Sequence, residues 1–166
     1  MRKTLTSLLI AVATATSAHA AEPEQVATYR DWMVFTYDTG SDLICYAVTE
    51  PEDASPANAN HGDVFFSVAT WRSGAATYQP SFMAGYPLQE GSEPVIRVGS
   101  DRWEMFAAER EGFIESARQE ERLIDAMRRG REMRVSATSA RSTATDYGFS
   151  LLGISKALER VEEACR

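Results

Sequence analysis

Short apolar and aromatic runs, each closed by a cluster of Gly, Pro, Ser, Asn or Asp, follow one another from residue 32 to residue 106. Runs of this kind predict β-strands joined by turns. Trp32-Met33-Val34-Phe35-Thr36-Tyr37 and Leu43 through Thr49 flank Asp38-Thr39-Gly40-Ser41-Asp42, and together they predict a β-hairpin. Glu50 to Gly62 has no periodicity and is rich in Pro, Asn, Ala and acidic residues, so a long exposed loop is expected there. Asp63–Trp71, Thr77–Ala84, Val95–Val98 and Trp103–Phe106 complete six candidate strands before the first helix.

The period then changes. Residues 115–129 predict a helix with Ala117, Ile124 and Met127 inward and opposite charges three or four positions apart, and Gly130 is expected to stop it. Arg131–Ser139 alternates through Met133, Val135 and Ala137 as a strand, and Tyr147–Leu151 reads as a short one. From Ile154 onward, Ile154, Ala157, Leu158, Val161, Ala164 and Cys165 fall on one helical face, with Lys156, Glu159, Arg160, Glu162 and Glu163 turned to water. At 166 residues, 44% of them hydrophobic, the chain suits one domain with a core. The expected fold class is mainly β, a β-sandwich with two helical additions.

Cys45 lies in the buried-strand run Leu43–Val48, and Cys165 lies on the apolar face of the last helix. These are the only two cysteines, and a disulfide between them would close a loop of about 120 residues and pin the C-terminal helix to the sheet. A redox pair fits less well, because catalytic cysteines usually stand close together as C-x-x-C.

The first residues supply the compartment. Met1-Arg2-Lys3, the apolar stretch Leu5 to Ala13 and the small-residue site Ala18-His19-Ala20 have the form of a secretory signal peptide cleaved after Ala20. Ala21 rather than Cys follows the site, which argues against a lipoprotein, and no later stretch has the length of a transmembrane helix. The expected organisation is a signal peptide over residues 1–20 and a single domain over 21–166, periplasmic, secreted or associated with the cell surface. Removing residues 1–20 takes away Arg2, Lys3 and His19, so 146 of 166 residues remain and the net charge of −7 becomes −9. That field disfavours nucleic acid, and a lone histidine with two cysteines leaves no Cys/His zinc site or iron–sulfur cluster. No cofactor and no metal are expected.

Candidate chemistry is sparse. Any Ser/His scheme runs through His61, near Ser55, Asp53 and Asp63, but no G-x-S-x-G elbow accompanies it, and a solvated turn residue is the expectation. A carboxylate pair for glycoside hydrolysis is not selected by any spacing. Arg118, Arg122, Arg128, Arg129, Arg131 and Arg134 form the densest basic cluster, although Arg128 and Arg129 suit a last helical turn and Glu115, Glu121 and Asp125 are available to pair with neighbouring arginines. Trp32, Phe35, Tyr37, Phe65, Trp71 and Trp103 are expected in the core. Trp71 and Tyr78 flank a hairpin tip and are candidate partner contacts. Thr138 to Asp146 is a polar connection whose hydroxyls and Arg141 suit an anion, with an Arg141–Asp146 pair as the structural alternative. The candidate partner-binding set is therefore Trp71, Tyr78, Arg128, Arg129, Arg131 and Arg141, and no residue is selected as catalytic.

That polar connection, continued through Tyr147-Gly148-Phe149-Ser150-Leu151-Leu152-Gly153-Ile154-Ser155-Lys156-Ala157-Leu158 to Cys165, resembles the C-terminal signature of the invasion-associated locus B family. Asp31-Trp32, Cys45-Tyr46 with Glu50-Pro51 after it, Gly85-Tyr86-Pro87 and Glu90-Gly91-Ser92 are also similar to that family's pattern, so the resemblance runs over residues 29 to 165. Ser142 stands where glycine is usual, which bears on the local turn. The resemblance implies an exported bacterial envelope protein with an immunoglobulin-like β-sandwich, in a family one branch of which is linked to host-cell invasion, and it supplies no catalytic residues. The expected function is non-enzymatic binding of an envelope or host-surface protein or glycan. A secreted hydrolase or carbohydrate-active enzyme using acidic residues, and a periplasmic accessory factor or chaperone, are the alternatives.

Overall fold

The computed structural model describes residues 22–166, so the expected signal peptide lies outside the described residues. Two antiparallel sheets and two helices make up the chain. One sheet contains β1 (Glu24–Tyr29), β2 (Trp32–Asp38), β3 (Leu43–Thr49), β5 (Phe65–Trp71), β6 (Gln79–Met83), β9 (Phe106–Ala108) and β10 (Glu111–Phe113), in the order β1-β2-β3-β5-β6-β10-β9. The other contains β4 (Asp53–Ser55), β7 (Val95–Val98), β8 (Asp101–Glu104), β11 (Glu132–Thr138) and β12 (Ala144–Ser150), in the order β4-β12-β11-β7-β8. The helices are α1 (Ala117–Arg129) and α2 (Ile154–Ala164).

The expected hairpin is β2–β3, with Met33 opposite Val48 and Asp38 opposite Leu43. Its turn is self-bonded: Gly40 N donates to Asp38 Oδ1 at 2.7 Å and Asp42 N donates to Thr39 Oγ1 at 2.9 Å. Because strand side chains alternate, this register sends Trp32 and Val34 into the core and Met33, Phe35 and Tyr37 to the other face. The two sheets meet through Phe66 against Phe149, ring centroids 5.9 Å apart, and Phe82 against Tyr147 at 5.7 Å. All four side chains are fully buried, and each removes enough apolar surface from water to stabilise the fold by about 2–3 kcal/mol.

Gly130 caps α1, donating its N–H to Ala126 O at 2.8 Å, as the expected stop. The buried face of α1 is Leu123, Ile124, Ala126 and Met127, whereas Ala117, expected inward, is exposed in the first turn. The buried face of α2 is Ile154, Ala157, Leu158 and Val161, and the Cys45–Cys165 disulfide fastens its end to β3 over a separation of 120 residues. Cys45 is fully buried on the inward side of β3, so α2 lies on that inner side.

Four strands exceed the sequence expectation. The lead-in before Trp32 forms β1, β4 interrupts the expected long loop, and β9 and β10 close the first sheet at its far edge. Trp103 and Phe106 do not share one strand: the chain leaves the second sheet after Glu104 and enters the first at Phe106. Ser142 in the β11–β12 turn has φ 61°, the left-handed region that suits glycine.

Candidate interaction surface

The inward rows of the first sheet are covered by the second sheet and by α2. Its outward rows follow from the register. Tyr37, Ile44 and Trp71 form one row, and Gln25, Phe35, Tyr46, Ala69 and Gln79 the next. Thr28, Met33, Val48, Ser67, Ser81, Phe113 and Phe106 form a third, which crosses all seven strands. Phe65, Met83, Glu111 and Ala108 form the last. Glu111 is the only charged residue in these rows. At about 4.8 Å per strand and about 3.4 Å per residue the face spans roughly 30 by 20 Å.

The outward face of the second sheet is built on the opposite plan. Arg134, Arg97 and Arg102 stand in register there, and Asp53, Glu104, Glu132 and Asp146 lie on the same side. Arg134 joins three strands by bonding Asp53 Oδ1 at 3.0 Å, Glu132 Oε1 at 3.3 Å and Asp146 Oδ1. Soluble sheets normally turn such a polar face to water and keep the apolar one covered. Here the first sheet is mostly apolar on both faces, with Gln25, Thr28, Ser67, Gln79, Ser81 and Glu111 as the polar members of the outward rows.

Four of the six aromatics expected in the core belong to this outward face. Trp32 and Trp103 are buried, but Phe35, Tyr37, Phe65 and Trp71 are only half-buried. Phe35 and Tyr46 stack with ring centroids 5.5 Å apart. Partial burial holds the Tyr46 phenol above its ordinary pKa, so it stands on this face as a neutral hydroxyl. Phe106 and Met83 are the most exposed apolar members, at 43% and 38%.

The remaining candidates separate. Tyr78 does not join Trp71: its hydroxyl donates to Glu162 Oε2 at 3.0 Å on α2, and its ring lies under the Arg128 guanidinium at 5.5 Å. Burial, then the Glu162 contact, raise its pKa. Arg128 and Arg129 occupy the last turn of α1 as expected, and both are exposed, as is Arg131. The expected pairing of Glu115, Glu121 and Asp125 with arginines is absent among the described residues, and Arg134 lies on β11, away from the helix. Arg141 is exposed and does not pair with Asp146, whose carboxylate is taken by Arg134 and by Ser136 Oγ at 2.7 Å. His61 is no solvated turn residue: Nδ1 bonds the Tyr147 hydroxyl at 2.8 Å and Nε2 the Pro56 carbonyl at 3.0 Å, which leaves Ser55 and the nearby carboxylates outside its reach.

Among the described residues no helix is long and apolar enough to cross a membrane. Compared with protein-family models, curated proteins and solved structures, the chain matches none.

Proposed function

We propose that this chain is an exported, non-enzymatic binding domain, similar to invasion-associated locus B proteins, which holds an envelope or host-surface component against the outward face of its seven-stranded sheet. The contrast between the two outward faces carries the reading. A chain in which 25% of residues are charged places seven charged side chains on one face and a single carboxylate on the larger one. An aromatic-rich face with a single carboxylate and a footprint of roughly 600 Å² stands at the upper end of the patches a monomer usually leaves to water, and is somewhat smaller than the about 800 Å² per partner of a standard interface. Tyr, Trp, Phe and Met are the residues enriched at the centres of such interfaces. The disulfide fits an oxidising compartment outside the cytoplasm.

The test is site-specific photo-cross-linking in the native envelope. A photoreactive residue replacing Tyr46 or Trp71 is expected to give a discrete adduct, and one replacing Arg97 on the opposite face is not. Adducts from Arg97 alone, or the same pattern from both faces, would overturn the assignment.

A further inference from the structure

Away from the outward sheet face, a cavity of about 470 Å³ opens where Asn60–Gly62, Gly85–Pro87 and the β11–β12 turn converge. Its polar lining includes His61, Tyr86, Ser139, Arg141, Thr143 and Thr145, and none of the chain's 24 acidic residues lines it. Among the described residues Arg141 has no salt-bridge partner, since the carboxylate expected for it is engaged by Arg134. Ser139 Oγ accepts the Thr143 N–H at 3.1 Å and keeps its own hydrogen for another acceptor. The wall is tight: a Cβ on Gly85 would stand 2.2 Å from the His61 carbonyl oxygen, so only glycine lets the two segments pass and seats His61 at the cavity.

His61 is held as one wall of this cavity, with Nε2 3.0 Å from the Pro56 carbonyl oxygen and Nδ1 2.8 Å from the Tyr147 hydroxyl. Tyr147 donates to Tyr86 at 3.0 Å, and the Tyr86 and Thr145 hydroxyls share a hydrogen bond at 2.6 Å. Burial, then the Tyr86 contact, keep the Tyr147 phenol protonated by raising its pKa. These side chains are engaged with one another, which leaves Arg141 and the Ser139 hydroxyl to meet a ligand.

We propose that this cavity binds a small oxyanion, a carboxylate or a tetrahedral phosphate-type group, against the Arg141 guanidinium. The bond is a charge-assisted one from a planar guanidinium, with the Ser139 hydroxyl as a further donor.

Sulfate and acetate test it, since both are anions at neutral pH and one is tetrahedral, the other planar. Titrated into the ¹⁵N-labelled protein, one or both are expected to move the Ser139 and Arg141 resonances, and sulfate alone or acetate alone identifies the geometry of the group. Binding is expected to weaken by about tenfold in Arg141→Gln, the loss of one charge-assisted contact. No shift from either anion, or unchanged affinity in Arg141→Gln, would overturn the proposal.

Discussion

Phe35 on β2 and Tyr46 on β3 lie directly opposite each other on the outside of the first sheet, their ring planes 14° from parallel. A stacked cross-strand pair of this kind contributes about 0.5–1 kcal/mol beyond the area it buries. In a double-mutant cycle with Phe35→Ala and Tyr46→Ala, denaturant unfolding should return a coupling in that range, with each single variant still folded because both rings stand outside the core. A coupling near zero would show that the rings do not hold each other in solution.

The disulfide should carry a large share of the stability. Closing a separation of 120 residues constrains the unfolded chain by about 4–5 kcal/mol in the chain-entropy description. Cys45→Ser with Cys165→Ser, compared with the oxidised protein by urea unfolding, is expected to lose an amount of that order. Its first structural consequence should be release of α2, read as loss of amide protection at Leu158 and Val161, which have only that helix to hold them inward.

Asp42 predicts an acid limb in the stability curve. Its carboxylate accepts the Ser73 hydroxyl at 2.5 Å, which lowers its pKa first, with the Ser73 and Leu43 N–H groups adding to the effect. A folded pKa below the unfolded one contributes stability that is fully present above the ordinary carboxylate range near 4 and is lost as pH falls through the lowered value. Ser73→Ala should return the Asp42 titration, followed by carboxyl ¹³C shifts, toward that ordinary value and shrink this limb. An unmoved titration would remove Ser73 as the cause.

Ser142 occupies a left-handed conformation, at φ 61°, that a side-chain-bearing residue reaches at a cost of about 1–2 kcal/mol. Glycine would relieve that cost and give back part of it through the greater freedom of the unfolded chain. Ser142→Gly is therefore expected to raise stability by about 0.5–1 kcal/mol in thermal or urea unfolding. The Ser142 N–H bond to Ser139 O, at 2.8 Å, is a backbone bond that glycine keeps, so a loss of stability would mean that the freedom gained by the unfolded chain outweighs the strain relieved.

The strands β2, β3, β5, β6, β7, β11 and β12, the two helices, the buried face of α2 and the pairing of Cys45 with Cys165 were legible in the chain, because the elements are written in local periods or runs and the chain has only two cysteines. The short strands were not. β4 has three residues and no apolar period, and it is held in place by pairing with β12 and by Arg134 reaching Asp53 from 81 positions away. His61 looked like a free turn residue because Tyr147, which binds it, stands 86 positions later. The largest difference concerns the aromatics. A run such as Met33-Val34-Phe35-Thr36-Tyr37 is apolar on both alternating faces, and in sequence that is the mark of a strand covered on both sides. Sequence therefore determined that both faces of the first sheet are mostly apolar; the tertiary structure decided that only one is covered, because α2 and the second sheet both pack on the side to which Cys45 points.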